Sequence, residues 1–556
     1  MREDGRRWAR IAAVFLAYGV TAALLWAPVA VERSVEATRF ADRLGSVPVE
    51  VSLTHNGHST LETGVLGSLY WEQTGAAGFG ARVRVTGTPQ AGGTLASYVS
   101  PAFVRANAAF ISDPEEVART YGAELRDRFV HSLLMRELFA FLLGGLVLTG
   151  LFRARSPLPV GWSRRTSIGV GVVVVATVGA ISCGSAFWLF DRWSGNGEIE
   201  EAHPMPGMDK LSFSSPQTLE LARQVEPFLN KNSKRNQERS RSYRAQAQTT
   251  LGTELTAHAD QLAPRDGEVI VVAEADPQGS HVGTRVRADL YTQLVDALGG
   301  DAFAMRTISG DVTSNGTVAE AEFVAAEIAA SGDIPTVVVK GDHDTDTTVE
   351  QLDDDGATLP DFDLTEVDDL DVVSGNDPAF KTLFGGVIVN ETGVSEREMG
   401  EKLRDYVDEE GPDASIVLLH QPRSAAGYLG LDSLSELPET TGSALTTPYD
   451  DGIPDLPPGI INIGHLHDAA PPRIIWNTDG DKVTWTVLNQ LGTAGGVEER
   501  PTYNRFSTPD SVPLKTLSVQ LQYVDRDSGL QTGTVSIDLA TDGTATISDR
   551  TDIGLP

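Results

Sequence analysis

Two long runs without a charged side chain, residues 11–31 and 166–190, constrain this 556-residue chain more than any other feature. A helix needs about 20 apolar residues to cross the hydrocarbon of a bilayer, and these runs hold 21 and 25. The first follows Arg6, Arg7 and Arg10. It exceeds the apolar stretch of about 7–15 residues found in a cleaved signal, so it reads as an uncleaved anchor. A third run, 138–152, has only 15 residues, about 22 Å of helix at about 1.5 Å per residue. Short cytoplasmic loops collect Lys and Arg. Residues 153–165 carry four Arg and no acid, and the first ten residues carry four Arg as well. With both segments inside, the middle run also has to cross. The pattern predicts three spans, a multi-pass cell-membrane protein with the lipid bilayer as partner, and an extracytoplasmic location for 40–130 and for everything after Asp191.

Charge separates the chain into two parts. The net formal charge is −33, yet residues 1–200 hold 19 basic and 17 acidic side chains, leaving 25 against 60 in the remainder. So acidic a surface repels nucleic acid and anionic lipid and concentrates cations, divalent metals among them; nucleic acid is not an expected partner. The lone Cys183 permits neither an intrachain disulfide nor a zinc site built on Cys.

The chain divides into an anchor over 1–32, a small β-rich outer region over 33–135, two spans with a short cytoplasmic loop over 136–190, a helical linker over 191–264 and a final domain over 265–556. In the outer region, His55 and His58 read as solvated surface. The linker begins with Gly, Pro and acids and then carries a polar helical pattern with six basic side chains between Lys231 and Arg244, most simply a solvated helix face. From Glu268 onward, short β-branched runs (268–273, 303–309, 336–340, 415–419, 460–463, 483–488 and others up to Ile547) alternate with amphipathic segments at 285–298, 318–330 and 395–409. This alternation predicts an α/β domain with strands buried on both faces, and ligands of such sheets gather beyond the carboxyl ends of the strands.

There the chemistry-bearing residues recur: Asp276, Gly310-Asp311, Gly341-Asp342-His343-Asp344, His420 and Gly464-His465-Leu466-His467, each a few residues beyond a strand. Imidazoles and carboxylates together suit manganese, iron or zinc. His465 and His467 stand two apart, so an extended segment points both to one side. A carboxylate such as Asp311 can bridge two ions, which sit about 3.5–4 Å apart in two-metal hydrolases. Four of the seven His beyond residue 200 fall inside these motifs.

The ordered series D-x-(H), G-D, G-N-H-D, H and G-H-x-H resembles the calcineurin-like metallophosphoesterase superfamily over residues 265–510. The resemblance implies a two-sheet β sandwich flanked by helices, two divalent ions (Mn, Fe or Zn) and hydrolysis of phosphate mono- or diesters. By motif, Asp276 and His467 would hold the first metal, Asp311 would bridge, and Asp342, His420 and His465 would hold the second. His343 would contact the substrate phosphate and assist the leaving group while metal-activated water attacks phosphorus. Asp344 would orient the His343 ring by accepting its proton. Two positions depart from the pattern. Gln278 stands where the first motif has His, so that either its amide oxygen coordinates or His281 reaches in, and Asp342 replaces Asn. The same fold could therefore serve as a catalytically degenerate metal-binding sensor or scaffold. The acidic stretch 342–371, with 13 carboxylates and no Lys or Arg, reads beyond its first members as a solvated insertion.

Overall fold

The computed structural model describes residues 2–44, 47–55, 57–62, 68–72, 78–86, 114–153, 176–185, 187, 203–205, 208–381, 388–390, 392–438, 442–449, 452–478, 482–498 and 512–555. It divides into two compact units: one built mainly from the N-terminal 227 residues, the other mainly from residue 228 to the end.

In the first unit, α1 (Arg2–Ala37) and α2 (Pro114–Arg153) flank in sequence the strands β1 (Arg39–Leu44), β2 (Val47–Thr54), β3 (His58–Glu62), β4 (Ser68–Glu72) and β5 (Gly80–Val85). Two helical stretches, Val14–Ala37 and Arg119–Gly150, are long and apolar enough to cross a membrane. The middle run is therefore not thin: Arg136 and Glu137 interrupt the uncharged count but not the helix, which continues for 40 residues. Most of the 166–190 run lies outside the described residues, and 176–185 are helical. Small residues bring α1 and α2 together, as in membrane helix pairs. A Cβ on Gly19 would come within 2.7 Å of the Phe141 ring, and one on Gly145 within 2.9 Å of Phe15. Outward, Leu134, Phe139 and Leu146 stay exposed.

The unit's sheet runs β1-β2-β5-β3-β4-β7-β6, and its last two strands, β6 (His203–Met205) and β7 (Met208–Phe213), come from the stretch expected to be a helical linker. Only from Pro216 is that stretch helical, as α3 (Pro216–Leu262). Its Ser-Phe end explains the difference, because Leu211 and Phe213 pair with Trp71 and Leu69 in an alternating strand register. His58, expected at the surface, is buried with its ring edge-on to Tyr70 at 5.7 Å.

The second unit holds two sheets. One is β10-β9-β8-β19-β20-β21, with β22 beside β20: β8 (Glu268–Glu274), β9 (Phe303–Ile308), β10 (Thr336–Val338), β19 (Leu517–Asp525), β20 (Gln531–Leu539), β21 (Ala545–Ile547) and β22 (Thr551–Asp552). The other is β11-β12-β15-β16-β18-β17: β11 (Thr365–Val367), β12 (Leu370–Ser374), β15 (Ser415–Leu418), β16 (Gly459–Ile463), β17 (Arg473–Asn477) and β18 (Thr484–Gln490). A minor pair, β13 (Phe380–Lys381) and β14 (Ile388–Val389), stands apart. β8, β9 and β10 are mutually parallel, as are β12, β15, β16 and β18, so in each sheet these strands end on one side.

Side chains of both sheets meet in one buried cluster: Val271, Met305 and Val337 from the first, Val372, Ile416 and Ile460 from the second. Helices cover the far faces. Tyr243, Leu251 and Leu262 of α3 and Val286, Leu290 and Leu294 of α4 (His281–Leu298) pack with Ile270, Val272 and Leu521. Met399, Leu403 and Val407 of α7 (Glu396–Glu410) and Ala425 of α8 (Pro422–Tyr428) pack with Val417 and Ile461. Among the described residues of this unit, two further helices are α5 (Ala321–Ala329) and α6 (Asp346–Asp354). Fully burying one such aliphatic side chain stabilises by about 1.5–3 kcal/mol, which explains the aliphatic run from Val269 to Ala273 in β8 and the Ile residues of β16. The second unit takes in α3 from Phe228 onward, its later turns supplying Tyr243, Leu251 and Leu262 to the core.

Candidate metal centre

Each motif residue lies just past the C-terminal end of a strand. Asp276 follows β8, Asp311 follows β9, Asp342 to Asp344 follow β10, His420 follows β15, and His465 and His467 follow β16. The strand ends are tied to one another by backbone hydrogen bonds: Asp276 N to Gly310 O at 3.1 Å, Ala494 N to Ala275 O at 2.7 Å and Gly464 N to His420 O at 3.1 Å. Asp276, Gln278, Asp311, His465 and His467 all adopt positive φ between 41° and 70°. Such a conformation is costly for most side chains, and residues held in it cluster at ligand and active sites. Glycine is needed where these turns touch: at Gly310, φ +85°, a Cβ would lie 2.5 Å from His420 Nδ1.

The side chains converge. His420 Nε2 stands 3.3 Å from Asp311 Oδ1 and 3.4 Å from Asp342 Oδ1; His465 Nδ1 stands 3.6 Å from Asp342 Oδ1; His467 Nε2 stands 3.4 Å from Asp276 Oδ1. Two ligand atoms each about 2.0–2.2 Å from one tetrahedral ion are about 3.3–3.6 Å apart. Among the described residues three groups could hold an ion, half-exposed only at His465: Asp342 with His420 and His465, Asp276 with Asp311 and His420, and Asp311 with Asp342 and His343.

The hydrogen bonds leave the ligating atoms open. His420 Nδ1 pairs with the Ser309 carbonyl at 2.8 Å and His467 Nδ1 with the Val497 carbonyl at 2.7 Å. Each ring is thereby fixed with Nδ1–H donating and Nε2 turned to the cluster, the arrangement of metal-bound imidazoles. His420 Nε2, Asp342 Oδ1 and Gln278 Oε1 are buried with no hydrogen-bond partner. Polar atoms in a protein interior are ordinarily satisfied, so this donor set fits divalent cations. Burial would raise the Asp311 carboxyl, but His420 outweighs it and holds the group at about 2. Burial would lower the His420 imidazole, but Asp311 and Asp342 raise it well above the ordinary value.

Gln278 occupies the expected position, 5% exposed, with Nε2 donating to Asp311 Oδ2 at 2.9 Å. His281, the alternative donor, packs its ring edge-on against Phe323 at 5.2 Å and is in none of the candidate ion groups among the described residues. Asp344 does not accept the His343 ring proton. His343 Nδ1 pairs with the Ser314 carbonyl at 3.1 Å. Asp344 instead accepts from the backbone N–H groups of Val312, Thr313 and Gly341 and from the Thr313 hydroxyl. Its role is to pin the β9 and β10 loops together, and burial raises its carboxyl. Of the acidic stretch, Asp353, Asp354, Asp355, Asp368 and Asp369 are exposed.

Asp377 escaped the sequence reading. It follows β12 by three residues, donates its N–H to the Lys340 carbonyl at 3.0 Å and is 3% exposed, with Oδ2 unpartnered. Burial pushes its carboxyl up to about 7, with His420 opposing and Asp342 adding to the rise. The available signal was the pattern itself, a carboxylate shortly after a strand, but the short Leu-Asp-Val-Val-Ser strand was hidden at the edge of the acidic stretch.

No family model matches the chain, and no curated protein matches it. Among solved structures, the crystal structure of TT1561 of Thermus thermophilus aligns over 50% of this chain and 98% of its own, at 11% identity and a TM-score of 0.26. So slight a likeness carries no argument.

Proposed function

We propose that the protein is a membrane-anchored, metal-dependent phosphoesterase hydrolysing phosphate mono- or diesters, with its two C-terminal sheets forming the sandwich of the metallophosphoesterase superfamily. The observation that carries this reading is the convergence of Asp276, Asp311, Asp342, His420, His465 and His467 at the ends of five strands, with buried atoms left unpartnered. Divalent ions, when bound, supply Lewis acidity to a phosphoryl oxygen and lower the pKa of water. Asp276, Gln278 and His467 would hold one ion, Asp342, His420 and His465 the other, and Asp311 both. Asp311 is kept in place for this by the His343 N–H at 2.8 Å and the Gln278 amide at 2.9 Å. His343, its Nδ1 engaged with Ser314, has Nε2 to offer a phosphate oxygen and, as the imidazolium, a proton to the leaving oxygen.

The basic loops and the two apolar helices support an orientation with the C-terminal unit outside the cytoplasm and, with 166–190, three spans. The strongly negative surface disfavours long polyanionic substrates. The test is hydrolysis of an aryl phosphodiester and the matching monoester by the detergent-solubilised full chain, metal-stripped and then supplied with Mn²⁺, Zn²⁺ or Mg²⁺. Metal-dependent turnover that Asp311→Ala lowers at least about a thousandfold, about 4 kcal/mol of barrier, is expected. Folded, metal-binding protein without turnover would instead make it a sensor or scaffold.

A further inference from the structure

The two ion positions are not built from equivalent donors, and Gln278 makes the difference. Its Nε2 donates to Asp311 Oδ2 at 2.9 Å, while Oε1 is buried and unpartnered. Reversing the amide would set its oxygen against a carboxylate oxygen and leave an NH₂ group unpaired, so the orientation is chemically determined. The backbone is held as firmly: Gln278 N donates to the Asp311 carbonyl at 2.9 Å and Ser314 Oγ donates to the Gln278 carbonyl at 2.6 Å. A neutral amide oxygen thus stands beside the shared carboxylate. In the two-ion reading, Asp276, Asp311 and Gln278 would offer oxygens around it and His467, whose Nε2 stands 3.4 Å from Asp276 Oδ1, the nitrogen assigned to it. Around the other position, Asp311 and Asp342 would offer oxygens and His420 and His465 two nitrogens, with Asp342, His420 and His465 close enough to share one ion. Each set has two carboxylates, so the contrast lies in donor type rather than charge. Imidazole favours Zn²⁺ and its neighbours, whereas oxygen donors suit Mn²⁺ and Mg²⁺, which bind more weakly along the divalent series.

We propose that Gln278 makes the first position a weak, exchangeable site for an oxygen-preferring ion, Mn²⁺ or Mg²⁺, while the imidazole-rich position retains Zn²⁺. The protein then responds to the free concentration of the exchangeable cation. This rests on the two-ion reading above.

Calorimetric titration of the metal-stripped full chain separates the two ideas without recourse to turnover. With Zn²⁺, one event per chain is expected at least about a hundredfold tighter than the next; Mn²⁺ added to the one-zinc form should then give a single weaker event. Gln278→His should tighten the second Zn²⁺ event about tenfold or more and lose the preference for Mn²⁺, with circular dichroism confirming the fold. Two Zn²⁺ events of equal affinity in the wild type, or a folded Gln278→His protein with an unchanged second event, would overturn the proposal and leave the two-ion reading standing. Absence of any metal binding would overturn both.

Discussion

Glu274 and Asp276 stand two residues apart, both fully buried, and the company each keeps is different. Glu274 belongs to a closed set. Its carboxylate receives Arg287 Nη1 at 2.8 Å, Arg306 Nη2 at 2.8 Å and the Tyr291 hydroxyl, and Glu327 receives Arg287 Nη2 at 2.8 Å and the Thr284 hydroxyl at 2.5 Å. Two cations balance two anions, and all four charged side chains are inaccessible to solvent. Asp276 belongs to an open set of three carboxylates and three imidazoles in which His420 Nε2, Asp342 Oδ1 and Gln278 Oε1 lack partners. A buried charge is tolerated only when paired and hydrogen-bonded. The first cluster pairs each charge within the chain, leaving only Arg287 Nε without a hydrogen bond, and locks β8 and β9 to α4 and α5; the second leaves a ligand atom on each of an imidazole, a carboxylate and an amide for cations to complete. Burial of charge alone therefore does not mark a site; what distinguishes the second cluster is that its unpartnered atoms belong to carboxylate, imidazole and amide groups converging on one place.

The contrast predicts opposite responses to mutation. Arg306→Met leaves Glu274 and Glu327 short of a cation and should cost about 3–5 kcal/mol, the usual loss when half a buried pair is removed; denaturant titration measures it. Acid should attack the same cluster. Burial would raise the Glu327 carboxyl, but Arg287 and Arg306 hold it at about 2 against an ordinary 4.5. Its contribution is thus fully present above pH 4.5 and is lost as pH falls toward 2. Thermal melting should accordingly decline over that window in the wild type, and Glu327→Gln should melt lower at pH 7 with a shallower acid decline. In the open cluster, Gly310→Ala meets His420 and a left-handed φ, and should cost about 1–2 kcal/mol together with metal affinity. A smaller effect on folding than that of Arg306→Met is expected from Asp342→Asn. In metal-stripped protein burial of the Asp342 charge is outweighed by His420 and His465, which hold its carboxyl well below the ordinary range, so the isosteric amide should cost some stability but keep the fold, while metal affinity drops. A large destabilisation of the stripped protein by Asp342→Asn would erase the distinction between the clusters.

Much of the C-terminal unit was legible because parallel strands leave β-branched runs and their ends leave Asp and His after Gly. The motif residues Asp276, Asp311, Asp342, His420, His465 and His467 are brought together where the strand order implied. What stayed hidden depends on tertiary pairing. Arg287 and Arg306 look like solvated charges until Glu274 and Glu327 arrive from other elements. The ring partner of His343 could not be read from the adjacent Asp344, because the β9 loop supplies the Ser314 carbonyl instead. Strands β6 and β7 were invisible in a Pro- and Gly-bearing linker, since their partner β4 lies more than 130 residues upstream. The true length of α2 was masked by Arg136 and Glu137, which a helix accommodates and an uncharged-run count does not.

The claim on which the rest depends is that the open cluster is completed by two divalent ions sharing Asp311. Counting bound metal per chain after equilibrium dialysis of the full protein at saturating Zn²⁺ and Mn²⁺, beside Asp311→Ala, tests it directly. The account predicts two ions per chain in the wild type and fewer than one in the variant. No bound metal in the wild type, or two ions retained without the Asp311 carboxylate, would contradict it.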